Sequence, residues 1–116
     1  MELNTYYICL LRKGPKWTSE ETPELEELQA RHMEHIGSLV ASGAKVAAGP
    51  VDDVSDIRGF SIFRTATLAE AQALAEADPA VQAGRFIVEL HAWRTPAGGV
   101  LPPPMAGGEA GSGHSS

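Results

Sequence analysis

The sequence predicts a single α+β domain of element order βαββαβ, and three observations predict it. Two strand-helix-strand crossovers follow one another, each about 35 to 45 residues long. The chain of 116 residues is long enough for one hydrophobic core and too short for two. The first strand pattern is apolar on both faces, as suits a central strand. Together they give the ferredoxin-like arrangement, a four-stranded antiparallel sheet with two helices on one face. The other face then needs its own cover, and a second copy of the same sheet is the simplest one, so a homodimer of the dimeric α+β barrel kind is expected. The ordered domain is read as residues 1–95, with 96–116 as a tail.

Residues 5–11, TYYICLL, place Tyr6, Ile8 and Leu10 on one face and Tyr7, Cys9 and Leu11 on the other. A polar stretch with a Gly-Pro break leads to Thr22-Pro23-Glu24, which reads as N-cap, N1 proline and an acid at the positive end of a helix dipole. Leu25, Leu28, Ile36, Leu39 and Val40 form the apolar stripe of that helix, and Gly43 stops it. Residues 44–51 read as a short strand closed by Gly49-Pro50, and Gly59 to Phe63 as the next. Thr67 and Glu70 make a capping box before an alanine-rich helix that Asp78-Pro79 breaks. The last strand, Arg85 to Trp93, puts Phe86, Val88, Leu90 and Ala92 toward the core and Arg85, Ile87, Glu89, His91 and Trp93 on a contact surface. Beyond it Gly, Pro and Ser crowd out apolar side chains, the composition of a disordered tail.

The net charge of −6 comes from acids spread along the chain without a basic stripe, which argues against nucleic acid as a partner. No apolar run approaches the roughly 18 residues of a membrane span, and the start MELNTYYICLL lacks a basic n-region and cleavage site, so a cytoplasmic protein is expected. The single cysteine, Cys9, lies in an apolar strand and reads as a buried, inert thiol.

Two residues stand out for chemistry. His32 falls in the middle of the first helix's apolar stripe, between Leu28, Ile36 and Leu39. Asp78 falls on the inner stripe of the second helix, with Leu68, Ala71 and Ala75, at the negative end of the helix dipole, where a carboxylate needs another partner. In this topology the end of the first helix lies beside the start of the second. His32 precedes Gly43, and Asp78 follows Thr67, by the same number of residues, so both reach about the same level. A buried carboxylate orients an imidazole and stabilises its cation, which makes a general base. His35 forms an H-x-x-H pair with His32, but no third ligand has motif spacing, so no metal is expected. Lys13, Lys16 and Trp17 lie in a loop able to close over an anionic or aromatic ligand, and Arg85 is suited to a substrate carboxylate. His35, Arg85 and Trp17 are therefore the candidate substrate-binding residues.

The segments HMEHIGSLVASGAKVAAGP (32–50), GFSIF (59–63), LAEAQALAEADPAVQAGR (68–85) and VELHAW (88–93) together resemble the YciI-like family. The resemblance implies a ferredoxin-like dimeric barrel with His32 and Asp78 as the active-site pair. One branch of that family is a cofactor-independent dehydrochlorinase of a chlorinated hydroxyhydroquinone, and the fold is similar to muconolactone isomerase. The expected activity is thus a cofactor-independent lyase or isomerase acting on a small cyclic or aromatic metabolite. The alternatives are a non-catalytic small-molecule binding or regulatory module, or a cofactor-free monooxygenase of the same barrel class.

Overall fold

The computed structural model describes residues 2–99 and 101–105. Among them the elements run β1 (Leu3–Lys13), α1 (Pro23–Ala41), β2 (Lys45–Pro50), β3 (Ile57–Phe63), α2 (Leu68–Glu76), α3 (Pro79–Gln82) and β4 (Phe86–Pro96). The strands form one antiparallel sheet of order β2-β3-β1-β4, which is the expected ferredoxin-like topology.

The central place of β1 explains its two apolar faces. It pairs with β4 along its whole length, from Leu3↔Pro96 to Lys13↔Phe86, and with β3 from Tyr7↔Phe63 to Arg12↔Ile57. Tyr7, Cys9 and Leu11 join Phe63 and Phe86 in the core beneath the helices, against Leu28 and Leu39 of α1 and Ala71 and Ala75 of α2. Small alanines let α2 sit close to the sheet, and burial of this apolar surface is the main source of stability. Tyr6, Ile8 and Leu10 face the other way. Tyr6 is nonetheless only 1% exposed, because its hydroxyl donates to the Pro102 carbonyl at 2.6 Å and its ring lies 6.2 Å from that of Trp93. In the same region Arg64 Nε donates to the Pro103 carbonyl, and the Met105 amide to the Arg64 carbonyl, both at 2.8 Å. Of the segment expected as a tail, Pro96 is thus the end of β4, and Pro102, Pro103 and Met105 hydrogen-bond to the domain. Residues 106–116 lie outside the described residues.

Local signals act as their chemistry requires. The Thr22 hydroxyl accepts from the Leu25 amide at 3.2 Å, and Pro23 opens α1. Gly43, at φ +86°, provides the left-handed turn beyond it. Both halves of the Thr67–Glu70 capping box are formed. Three residues expected inside lie outside: Val40, 47% exposed at the edge of the α1 stripe, Leu68, 46% exposed in the first turn of α2, and Ala92, exposed because the buried part of β4 is its first half.

The second helix is shorter than expected, and Asp78 does not close it. α2 stops at Glu76 with Ala77 as its cap, and Asp78 is extended (φ −62°, ψ 126°), as befits a residue before proline. Asp78 instead opens α3. A carboxylate at a helix start is favoured by the free amides there, so the expected conflict with the dipole does not arise.

The loop after β1 is laced to the chain after α3. The Gly14 amide donates to the Arg85 carbonyl at 2.8 Å and the Lys16 amide to the Gly84 carbonyl at 2.9 Å. A Cβ on Gly14 would sit 2.4 Å from the Gly84 carbonyl oxygen, so only glycine permits this approach. Gly14→Ala is expected to destabilise the fold by about 1–3 kcal/mol, the usual cost of overpacking, measured by urea unfolding.

Candidate active site

His32 and Asp78 meet as the sequence predicts. α1 turns His32 inward, where it is 9% exposed, and the α2–α3 junction brings Asp78, 2% exposed, up to it. His32 Nδ1 and Asp78 Oδ2 lie 2.6 Å apart. The second carboxylate oxygen, Oδ1, accepts from the Ala80 amide at 2.8 Å. One carboxylate therefore caps α3 and holds the imidazole at once. With Nδ1–H donated to Asp78, the basic nitrogen is Nε2, and the ring is fixed further by the Phe86 ring, 5.4 Å away and tilted by 54°.

His32 lines a cavity of about 430 Å³ between α1 and the helix-facing side of the sheet, together with Leu11, Trp17, Lys45, Arg85 and Phe86. That volume suits a small ring compound. Trp17 and Arg85 arrive there because of the laced loops. The Arg85 guanidinium carbon is 5.8 Å from the Trp17 ring centre and 5.7 Å from that of Phe86, and Nη1 donates to the Thr18 carbonyl at 3.1 Å. Lys13 Nζ stacks on Trp17 at 4.3 Å.

His35 is not brought to this cavity. Its Nε2 donates to the Leu74 carbonyl at 2.9 Å, so it ties α1 to α2, and it is not among the residues that line the cavity. His91 Nε2 lies 2.6 Å from Glu89 on the opposite face of the sheet, where Arg12 also pairs with Glu89. Among the described residues no group of three or more His, Cys, Asp or Glu side chains is placed to hold a metal ion, and no helix is long and apolar enough to cross a membrane.

The sequence reading passed over Lys45 and Arg58, which also line the cavity. Lys45 is 4% exposed, with Nζ 4.9 Å from the centre of the Phe63 ring. Burial pulls its pKa down, opposed by the nearby Cys9 and Asp78. Arg58 Nη2 donates to the carbonyls of Asp53 (2.8 Å) and Ser55 (2.7 Å), while its buried Nε has no partner among the described residues. The available signal was a lysine within the otherwise uncharged strand KVAAGP.

Fold and site together define a small ferredoxin-like α+β protein with a buried His–Asp pair opening on a ligand-sized cavity. The chain belongs to the YCII-related domain family, whose family model matches residues 5–94. Its structure is similar to that of 5-chloro-2-hydroxyhydroquinone dehydrochlorinase from Burkholderia phenoliruptrix AC1100 in complex with 2,5-dihydroxybenzoquinone, with a TM-score of 0.52 and 20% identity over 76% of this chain and 92% of that one. No curated protein matches the chain in sequence.

Cys9 lies against this site without serving it. It is 1% exposed, and burial pushes its thiol pKa up, with Lys45 opposing. A thiol so raised stays protonated near neutral pH, and the thiolate is the reactive form. A disulfide reagent at pH 7.5 is expected to modify the folded protein at least about 100-fold more slowly than the protein in denaturant, followed by absorbance of the released thiol.

Proposed function

We propose that this protein is a cofactor-independent lyase or isomerase that acts on a small cyclic or aromatic metabolite by His–Asp general acid–base catalysis. The observation that carries the reading is the 2.6 Å contact between His32 Nδ1 and Asp78 Oδ2 at the wall of the cavity. Asp78 fixes the tautomer and stabilises the imidazolium, so His32 Nε2 takes a proton from a ring carbon next to a carbonyl or phenol. In an isomerisation the same nitrogen returns the proton at a second carbon. In an elimination a leaving group departs with its bonding pair from the adjacent carbon. Trp17 and Phe86 offer aromatic walls to a ring, and Arg85 a cation to an acidic substituent. The structural neighbour, a dehydrochlorinase of a chlorinated hydroquinone, supports this reaction class.

Proton abstraction is testable without knowing the natural substrate. In D₂O, ring-proton exchange of added hydroxylated benzenes and lactones, followed by proton NMR, is expected to be catalysed by the wild type. His32→Asn should slow it about 10²- to 10⁴-fold, the usual worth of a positioned general base, and Asp78→Asn about 10²-fold or more. Undiminished exchange in His32→Asn would overturn the reading and leave a binding module.

The same proposal includes a homodimer through the sheet face opposite the helices, which the chain itself covers only in part around Tyr6. Phe60, Ile87 and Trp93 are 39%, 49% and 37% exposed, and the register puts them on the side of Tyr6, Ile8 and Leu10. An apolar sheet face of this kind is costly in water, and a second copy covers it with a matching surface. Sedimentation velocity is expected to give twice the chain mass, and the double change Ile87→Glu with Trp93→Glu to give the single-chain mass with the fold kept by circular dichroism.

A further inference from the structure

Lys45 is a cation buried where the fold has no use for one. It starts β2, faces the Phe63 ring, and takes part in none of the ion pairs found among the described residues, which join Arg12 to Glu89, His32 to Asp78, Arg58 to Asp53 and His91 to Glu89. The acid nearest to it in effect, Asp78, already holds His32 and caps α3. A buried ammonium without its own counter-ion is a net cost to folding, and such a group persists at a site where a ligand supplies the missing charge.

The rest of the wall carries the same sign. Lys45, Arg58 and Arg85 line the cavity, and among the described residues no aspartate or glutamate does. This holds in a chain whose net charge is −6, so the surface as a whole repels anions while the cavity attracts them.

We infer that the site takes a ring compound bearing an anionic oxygen, a carboxylate or a phenolate, and that Lys45 is the residue that receives this oxygen while Arg85 steadies the ring at the Trp17 side. The inference rests on the acid–base reading above and gives it a second half. When a ring C–H bond breaks, the proton passes to His32 Nε2 and the electron pair moves onto the neighbouring carbonyl oxygen, producing an enolate. An ammonium already in place on the cavity wall, itself buried, stabilises that charge without reorganising. Where the adjacent carbon bears a leaving group, the pair returns to form the ring double bond and the group leaves with the electrons of its own bond.

Binding separates the two halves. Isothermal titration on the full chain compares 2,5-dihydroxybenzoate with hydroquinone, which shares its ring and hydroxyls and lacks the carboxylate. Wild type is expected to prefer the acid by at least about 10-fold. Lys45→Met keeps the length and bulk of the side chain. It should lose that preference, retain hydroquinone binding and melt at the same temperature as wild type or up to about 4 °C higher, since a desolvated charge has gone. Lys45→Arg should keep the preference, and it decides the matter should the methionine variant fail to fold. Equal binding of the two compounds to wild type, an unchanged preference in Lys45→Met, or a lost preference in a folded Lys45→Arg would each overturn the inference. His32→Asn is the control: it should keep the preference for the acid while losing proton exchange. Full exchange in His32→Asn alongside lost preference in Lys45→Met would defeat the acid–base reading alone.

Discussion

One carboxylate ties the helical layer together. Asp78 gives Oδ1 to the first free amide of α3 and Oδ2 to the imidazole of α1, and it does so while 2% exposed. Both bonds satisfy groups that burial would otherwise leave unpaired, and an unpaired buried donor costs about 1–3 kcal/mol. α3 in turn sets the path of the chain into β4. Its last turn delivers Gly84 in the left-handed conformation and Arg85 at the mouth of the cavity, where the loop after β1 docks on them. Position of imidazole, aromatic wall and arginine therefore follow from where one aspartate sits.

The fold was legible because its signals are periodic and local. Alternation marks β1, the caps at Thr22 and Thr67 lie where proline and the T-x-x-E pattern put them, and Gly43 supplies the turn that ends α1. His32 was legible for the same reason, since a polar residue in an apolar stripe can be placed on a helical wheel. Asp78 was found on the right side for a partly wrong reason. The wheel continued α2 through it, whereas the proline that follows forces an extended conformation and starts a new helix. What was not legible depends on contacts between elements distant in sequence. The bond of His35 to the Leu74 carbonyl depends on how α2 lies beside α1. Nor does a strand sequence tell whether a lysine at its first position will bury its ammonium.

The two faces of the sheet divide the labour. The helix-facing side carries the core and the cavity, with Lys45, Asp78 and His32 buried there and Arg58 and Arg85 half-buried at the cavity wall. On the opposite face Arg12 and His91 each pair with Glu89 at the surface. Glu89 is held below the usual carboxylate range by its bonds to Arg12 and His91, yet such exposed pairs add little to stability. On the proposed function, a change of charge on that face would alter association and a change of charge within the cavity would alter chemistry.

Lys45 shows why the second kind of charge is informative. Desolvation lowers its pKa in the folded chain, and the groups that face it, Cys9 from β1 and Asp78 from the α2–α3 junction, only partly offset this. In the pH interval between that lowered value and the ordinary lysine value of about 10.4, the unfolded chain binds more protons than the folded one, so stability rises with pH there. Below the interval both states hold the proton and the folded protein carries the whole desolvation cost. A methionine of the same length would meet the apolar neighbours of β2 without that cost. A sequence optimised for stability alone would use it, and the retention of an ammonium at 4% exposure beside the imidazole's cavity is the mark of a site that is completed by its ligand.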